Sequence, residues 1–470
     1  MGIGDLAESL TRGAERIGEG VSGAFEPVVR IGVTGLSRAG KTVFITSLVA
    51  NLLDRGRMTQ LAAAADGSVR AAYLQPQPDD TVPRFDYENH LAALTRDAPH
   101  WPEGTRAVSE LRLSLLVQPS GFLAGVAGPR RVHLDIVDYP GEWLLDLGLL
   151  HKTYAQWSDG MLERISKRSA AQGFLALADE LHTAGQFEET QAQELARSYT
   201  GFLKAARDEG YSDCTPGRFL LPGELEGAPV LTFAPLAKPE RPARRSLWRE
   251  MERRYNAYRA QVVKPFFRNH FARIDRQVVL VDALGAIHNG PEAIEDMRRT
   301  MTDILVAFRP GRNGFLAQLL RGKRVDKILF AATKADHLHH TQHPRLTAIM
   351  QAMLRQARDR ADFAGADTAA MSIAALRATV EETRRHNGRD LDCVRGVLLE
   401  AGREAAFYPG ALPEDPMALL NPAGSGAKSW LEADYRIMAF APPRLTLKPG
   451  DGPPHIRLDK ALQFLIGDKL

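Results

Sequence analysis

The stretch GLSRAGKT, residues 35–42, has the residue types and the spacing that hold a phosphate group. Gly35, Gly40, Lys41 and Thr42 fit the pattern Gly-x4-Gly-Lys-Ser/Thr, between a strand-like run and a helical one. Small residues let backbone N–H groups turn inward as an anion nest, and the next helix adds the positive end of its dipole. Lys41 would reach the terminal phosphates, and the Thr42 hydroxyl would ligate Mg²⁺. The residues expected to contact a nucleotide here are Ser37, Arg38, Ala39, Gly40, Lys41, Thr42 and Val43.

A carboxylate ends the alternating apolar segment LDIVD and is followed three residues later by a glycine. Asp138 suits the surroundings of Mg²⁺ if its strand lies beside the phosphate loop, and Gly141 leaves room for a backbone N–H to face a γ-phosphate. Asp-x-x-Gly alone is a weak signal, and Asp282 in VVLVDALG is a rival carboxylate at a strand end. The trailing glycine favours Asp138.

The segment ILFAATKADHL carries a third motif, Thr-Lys-x-Asp, at residues 333–336. The Asp336 carboxylate has two acceptor oxygens, and guanine offers two adjacent donors, its ring N1–H and its exocyclic amine. Adenine offers no such pair, so a buried carboxylate facing it would lose hydrogen bonds while keeping its desolvation cost. The Lys334 stem can lie along the base. All three motifs end predicted strands, the edge at which open α/β sheets bind ligands.

Together these motifs resemble those of the Ras-like P-loop GTPases. More closely, the phosphate loop, WPEGTRAVSELRL, DYPGEW and TKADH resemble the YcjX family of bacterial stress-associated GTPases, over almost the whole chain. The resemblance implies Mg²⁺-dependent hydrolysis of GTP to GDP and phosphate, a nucleotide-controlled switch and a role in stress. A nucleotide-gated interaction module with little hydrolysis is the alternative. An ATPase or small-molecule kinase is disfavoured by the TKAD element.

The resemblance also implies further site residues. Thr105 would close on Mg²⁺ and the γ-phosphate, with Thr81 as a rival, and His337 would flank the base. Trp101 would either cover the nucleotide or anchor a long loop. The expected nucleotide contacts outside the phosphate loop are Trp101, Gly104, Thr105, Arg106, Lys334, Asp336, His337, Ser372, Ile373 and Ala374. The expected Mg²⁺ set is Thr42, Thr105 and Asp138, and the expected catalytic set is Arg38, Lys41, Thr105, Gly141 and Glu142.

Two residues depart from the Ras-like pattern. Glu142 replaces the glutamine that orients the attacking water. Its carboxylate would be repelled by γ-phosphate unless it is protonated or turned away, so it either acts as a general base or has no catalytic role. Arg38 lies inside the phosphate loop. It could be an arginine finger supplied in cis, a partner that pins the switch loop, or a solvated charge at the rim.

Two further clusters invite functional interpretations that the sequence disfavours. His339 and His343 in HLHHTQH could share one helix face, but no Cys or Glu-x-x-His pattern joins them in a metal site. The basic, aromatic segment RRSLWREMERRYNAYR has the acids and the spacing of a solvated helix.

Strands that alternate with helices must position the three motifs, and this alternation predicts a parallel sheet covered on both faces. The expected fold is an α/β, Ras-like P-loop NTPase, a three-layer sandwich with a large α-helical insertion. SELRLSLLVQ and RRVHLDIVD predict a hairpin, and residues 54–110 otherwise read as irregular. The predicted divisions are an amphipathic helix at 1–28, GTPase segments at 29–150 and 276–385, a helical insertion at 151–275 and a C-terminal extension at 386–470.

Composition limits the possible partners and the location. The net charge of +3 is too small to indicate nucleic-acid binding. Cys214 and Cys393 are the only cysteines, which favours a reducing compartment. The N-terminal residues lack an apolar signal core, so the expected location is the cytoplasm. The N-terminal helix could also dock on a membrane or membrane protein, and the insertion could bind a protein effector.

Overall fold

The computed structural model describes residues 26–35, 39–104, 107–118, 128–181, 185–308, 325–361, 366–420 and 438–470. The predicted amphipathic helix therefore lies almost entirely outside the described residues. Among the described helices, none combines the length and the apolar character that a membrane-spanning segment needs.

Seven strands form the central sheet. They are β1 (Val28–Gly35), β2 (Val69–Gln75), β3 (Ser109–Val117), β4 (Arg130–Asp138), β5 (Arg276–Val281), β6 (Lys327–Ala332) and β7 (Asp367–Ser372). Their order is β2-β3-β4-β1-β5-β6-β7. The last five in this order run parallel, whereas β3 is antiparallel to both of its neighbours. The predicted β3–β4 hairpin is therefore confirmed, and its connection at 119–127 lies outside the described residues.

The helices fall into three groups along the chain. Those before and just after β4 are α1 (Lys41–Leu53), α2 (Ala62–Ala65), α3 (Tyr87–Thr95) and α4 (Gly141–Leu145). Those that follow before β5 are α5 (Tyr154–Ile165), α6 (Gln172–Glu180), α7 (Glu189–Asp208), α8 (Gly217–Leu220), α9 (Leu247–Tyr258) and α10 (Lys264–Asn269). The rest are α11 (Ala283–Asn289), α12 (Pro291–Phe308), α13 (His343–Ala361), α14 (Met417–Leu420) and α15 (Leu458–Ile466).

Helices cover both faces of the sheet, which confirms the predicted three-layer α/β fold. On one face, Phe44 and Leu48 of α1 and Leu462 of α15 are fully buried in a cluster with the inward side chains of β1 and β3. On the other face, Ile304 of α12 and Met350 of α13 belong to a second cluster with residues of β5 and β6. The parallel strands are buried on both faces, which explains their continuous apolar sequences.

The helices between β4 and β5 extend this second cluster rather than forming a core of their own. Trp157 of α5 stacks on Tyr255 of α9, with ring centroids 5.1 Å apart. Both side chains are buried in the same cluster as Val279 and Val281 of β5. The predicted insertion therefore packs continuously against one face of the sheet.

The segment predicted as irregular at 54–110 contains a strand, β2, and two helices, α2 and α3, so that prediction was wrong. β2 is an edge strand, and its side chains are mostly half-buried, which weakens the alternation that marks a strand.

The C-terminal part holds a second sheet of three antiparallel strands. These are β8 (Val380–His386), β9 (Arg389–Val397) and β10 (Glu404–Phe407). The division proposed between residues 385 and 386 thus falls at the end of β8. The chain then returns to the main sheet, where Arg276 donates a hydrogen bond to the carbonyl of Leu465 on α15.

Candidate functional site

The phosphate loop joins β1 to α1 at the carboxyl edge of the sheet. Gly40 precedes α1 in the left-handed region, with φ 74°, where a side chain would strain the backbone. Gly40 therefore allows the tight turn after which the N-terminus of α1 faces the phosphate loop. Leu36, Ser37 and Arg38 lie outside the described residues.

Lys41 is held at the end of β4. Its Nζ lies 2.8 Å from Asp138 Oδ1 and donates a hydrogen bond of 2.8 Å to the Tyr139 carbonyl. Parallel pairing of β1 and β4 places Asp138 opposite Val33, which sets this carboxylate beside the loop. Asp138 is fully buried. Lys41 and Asp138 are 97 positions apart in the sequence but in direct contact in the structure.

Thr42 and Gly141 complete the phosphate end of the site. The Thr42 hydroxyl donates to the carbonyl of Glu103 at 3.3 Å, next to Gly104. Gly141 begins α4, and a Cβ added there would lie 1.7 Å from the Gly35 carbonyl oxygen. Only a glycine lets the backbone of α4 approach the phosphate loop this closely. Thr105 and Arg106, which follow Gly104, lie outside the described residues.

The oxygen donors at this end fit a magnesium ion. The Thr42 hydroxyl and the Asp138 carboxylate are hard ligands of the kind that Mg²⁺ prefers, alongside phosphate oxygens and water. Asp138 is fully buried and does not line the cavity itself; its strand holds it against Lys41, which does.

Asp336 lies at the other end of the site, buried after β6. Its Oδ2 accepts a hydrogen bond of 2.8 Å from the Ala378 N–H, and its carbonyl accepts one from the Thr379 hydroxyl. These contacts fix the carboxylate while leaving further lone pairs for a ligand.

Lys334 precedes this carboxylate in the left-handed region, with φ 60°. Its Nζ lies 2.5 Å from Asp282 Oδ2. Asp282 in turn caps α11 through the Gly285 N–H at 3.0 Å. Asp282, the rival carboxylate, thus orients Lys334 rather than Lys41. It lies at the end of the site where the base is expected, which we call the base end.

Two aromatic contacts close the base end with the C-terminal part of the chain. The Trp101 indole N–H donates to the Phe440 carbonyl at 2.8 Å. The His337 ring meets the Phe440 ring edge-on, with centroids 5.1 Å apart. Burial holds the pKa of His337 below its usual value, so this ring is neutral near pH 7. This hydrogen bond makes Trp101 an anchor for its loop, and Trp101 also lines the cavity; that it covers a nucleotide stays a prediction.

The loop after β7 lines the cavity with residues 374–376, whereas the sequence predicted contacts at residues 372–374. Ser372 is buried, and its hydroxyl bonds to Thr347 and to Arg457, both at 2.8 Å. Ile373 is also buried, and neither residue lines the cavity. Ala374 does line it, together with Ala375 and Leu376.

A single cavity of about 760 Å³ connects the two ends, a size typical of small-molecule sites. The predicted residues that line it are Ala39, Gly40, Lys41, Thr42, Val43, Trp101, Gly104, Gly141, Glu142, Lys334, Asp336, His337 and Ala374. The sequence motifs thus meet in one place.

Sequence reasoning missed the wall residues that come from distant segments. Arg207, in the last turn of α7, lines the cavity beside Glu142, and these two side chains also border a small adjoining cavity with Gly141. Within the described part of the chain, neither Arg207 nor Glu142 makes a side-chain hydrogen bond or ion pair. No local pattern marks Arg207, because it belongs to an ordinary amphipathic helix.

A phosphate loop, an Asp-x-x-Gly segment and a Thr-Lys-x-Asp loop at the edge of this sheet define a P-loop protein of the Ras-like fold. A family model described as the YcjX-like family, DUF463, matches residues 29–470. Two similar proteins, from Shewanella oneidensis and Escherichia coli K12, are both named Ras-like GTPase YcjX. Both are 36% identical to this chain. The match to the Shewanella protein spans 468 residues and covers 94% of either chain. The match to the Escherichia coli protein spans 460 residues and covers 94% of this chain and 96% of the relative. The chain belongs to the YcjX-like family, as its motifs predicted.

Proposed function

We propose that this protein binds GTP and hydrolyses it to GDP and phosphate, and that the bound nucleotide controls its conformation. The observation that carries the proposal is the single cavity joining Lys41 and Gly141 at one end to Asp336 at the other. The names of the two relatives support the same reaction.

The phosphates would be held by Lys41 and by the first turn of α1. The Lys41 ammonium, now between Asp138 Oδ1 and the Tyr139 carbonyl, would turn toward the β- and γ-phosphates. The N–H groups of the first turn of α1 lack helical partners and would face the same oxygens. When bound, Mg²⁺ would neutralise phosphate charge, with Thr42, Asp138 and Thr105 proposed to surround it.

Guanine would be selected at the other end. Asp336 would accept hydrogen bonds from the ring N1–H and the amine, while Lys334 and Trp101 border the base site. The loop at residues 374–376 would supply the backbone contact to guanine O6. Ser372 is not proposed for this contact because it is fully buried and does not line the cavity.

The reaction itself would depend on positioning and on charge stabilisation. The attacking water would lie beside Gly141 and Glu142, at the γ-phosphate end of the cavity. Arg207, which lines the same part of the cavity as Glu142, would bind the oxygens on which negative charge develops. An arginine in this role raises the rate by roughly 10³-fold or more in other P-loop GTPases.

The insertion would report which nucleotide is bound. A Cβ at Gly217 of α8 would lie 2.1 Å from the Glu142 carbonyl oxygen, so the two segments touch. Movement of Gly141 toward a γ-phosphate would therefore displace the insertion. We propose that the outer surface of the insertion binds the effector. A role in stress belongs to the same proposal and is supported by the family resemblance. A cytoplasmic location is also proposed, because two cysteines in 470 residues favour a reducing compartment.

Single-turnover hydrolysis of labelled GTP tests the reaction, with Lys41→Ala as the reference. We expect a Mg²⁺-dependent rate well above that of Lys41→Ala, and displacement of bound GDP by GTP but not by ATP. A rate equal to that of Lys41→Ala would contradict the enzyme. It would favour the alternative, a nucleotide-gated interaction module, which the carboxylate of Glu142 beside the γ-phosphate position makes chemically reasonable.

A further inference from the structure

Two adjacent histidines lie immediately after the base loop, against the small C-terminal sheet. His339 is buried, and His340 is exposed. Both face Glu381 of β8, and Asp392 of β9 lies next to them. The antiparallel register pairs Thr383 with Asp392, so Glu381 and Asp392 point to the same face of the sheet.

The ring nitrogens of both histidines converge on one carboxylate oxygen. His339 Nε2 lies 3.7 Å from Glu381 Oε2, and His340 Nδ1 lies 2.5 Å from the same atom. One nitrogen from each ring and one oxygen of Glu381 all lie within 4.8 Å of one another. In a tetrahedral zinc site, ligand atoms are separated by roughly 3.3 Å, because each lies about 2 Å from the metal. To reach this arrangement, the His340–Glu381 pair would have to open by about 0.8 Å and the His339–Glu381 pair would have to close by about 0.4 Å.

The second nitrogen of His339 also has polar partners, among them the Thr341 N–H, which it accepts at 3.5 Å. Nδ1 lies 3.0 Å from the Thr341 hydroxyl and 3.6 Å from Asp392 Oδ2, and the hydroxyl donates to Asp392 at 3.1 Å. Such outer contacts orient the ring and raise its basicity toward a metal. His343 is not part of the cluster, since its Nε2 lies 2.8 Å from the carbonyl of Ala335.

One oxygen of Glu381 is left for the two histidines. Arg377 already binds the other oxygen of Glu381, at 3.2 Å. Two imidazoles, whose ring centroids lie 4.3 Å apart, and one carboxylate are a donor set that suits Zn²⁺.

We propose that His339, His340 and Glu381 bind one divalent cation of the zinc type, with Asp392 orienting His339 and water completing the coordination. The cation would join the turn after the base loop to β8. That strand begins two residues after Ala378, whose N–H holds Asp336 Oδ2. The metal would therefore brace the proposed guanine-selecting carboxylate, a consequence that rests on the proposed function, whereas metal binding itself does not.

Metal titration of the full chain tests the site directly. The protein is stripped with a chelator, saturated with Mg²⁺ and GDP so that the phosphate end is occupied, and titrated with Zn²⁺ by calorimetry. Co²⁺ is titrated in parallel, because four-coordinate cobalt absorbs strongly in the visible. We expect one equivalent of Zn²⁺ per chain and an affinity lowered at least about 30-fold in His340→Ala and in Glu381→Gln. Asp392→Asn should lower it roughly 10-fold.

Matched controls come from the same strand. His386 and Glu382 also lie on β8, but Glu382 binds Arg384 and Arg395 and takes no part in the cluster. His386→Ala and Glu382→Gln should bind Zn²⁺ as the parent protein does. The His340 side chain is 66% exposed, so its removal leaves the core intact, which thermal unfolding verifies. The absence of saturable binding, or equal affinity in the parent protein and His340→Ala, would overturn the proposal whether or not the protein hydrolyses GTP.

Discussion

Replacement of Asp336 by asparagine should change which base the protein prefers. In the parent protein, Oδ2 accepts the Ala378 N–H at 2.8 Å, and the carboxylate keeps further lone pairs for a ligand. In Asp336→Asn, the amide oxygen can accept both the Ala378 N–H and the ring N1–H of a base. The amide nitrogen then points at the exocyclic position, where guanine also carries a donor.

The magnitude follows from this geometry. The variant loses one hydrogen bond to a charged acceptor, worth about 1.5–3 kcal/mol, and places two donors against each other in a buried site. A total of about 3–4 kcal/mol corresponds to a loss of roughly 10²–10³-fold in affinity for guanine nucleotides. Xanthine has an oxygen in place of the amine and would accept the new N–H. Xanthosine diphosphate should therefore bind the variant more tightly than GDP does, and the parent protein less tightly.

Displacement of a fluorescent nucleotide by GDP and by xanthosine diphosphate measures both affinities. Asp367→Asn is a suitable control, because Asp367 is exposed at the start of β7 and distant from the base loop in sequence. If Asp336→Asn bound GDP within threefold of the parent protein and showed no gain for xanthosine diphosphate, Asp336 would not face the base.

Three other predictions concern the phosphate end and the insertion. Arg207→Ala should lower the single-turnover rate roughly 10²–10³-fold with little change in GTP affinity, whereas Arg197→Ala, on the exposed face of the same helix, should not. Gly141→Ala would place a Cβ 1.7 Å from the Gly35 carbonyl, so GDP should still bind while hydrolysis is lost. Burial raises the pKa of Asp146 from 3.8 to about 7, so its contribution to stability is present below about pH 4 and is lost as the pH rises to about 7. This loss amounts to up to ~4 kcal/mol, and urea unfolding of Asp146→Asn between pH 4 and 8 should show a flatter pH dependence.

The sequence was sufficient where chemistry depends on local backbone. Gly40 and Gly141 are recognisable because a left-handed turn favours glycine at the first position, and a Cβ at the second would lie 1.7 Å from the Gly35 carbonyl oxygen. Asp138 and Asp336 are recognisable because each follows an apolar strand in a short fixed pattern. Parallel strands carry such residues to one edge, so their meeting in one cavity follows from the fold class.

The sequence was insufficient where side chains reach the site from far along the chain. Arg207 and Phe440 line the cavity, yet each belongs to a segment without a motif. The register of the loop after β7 could not be predicted from the sequence either, because Arg457, 85 residues later, holds the Ser372 side chain away from the cavity. Such contacts are set by how the insertion and the C-terminal segment pack, and single-sequence patterns do not encode that packing.

The packing of α4 indicates how hydrolysis would be transmitted. Trp143 donates to the Leu221 carbonyl at 3.3 Å, and the Arg218 guanidinium lies 3.2 Å from its ring centre. Asp146 accepts the Gly217 N–H at 2.8 Å and the Tyr258 hydroxyl at 2.5 Å. The short helix after the Asp-x-x-Gly segment is thus fastened to two helices of the insertion.

These contacts leave little room for independent movement. A displacement of Gly141 toward or away from a γ-phosphate would have to move α8 and α9 with it, or break buried hydrogen bonds at about 1–3 kcal/mol each. Moving α8 and α9 together with Gly141 costs less free energy than breaking these hydrogen bonds, because α8 is short and contacts the sheet mainly through α4. Arg207, on the neighbouring helix α7, would then shift relative to the phosphates in the same step. The insertion is therefore the part of the chain in which GTP and GDP states should differ most, even though the residues proposed to select guanine lie elsewhere.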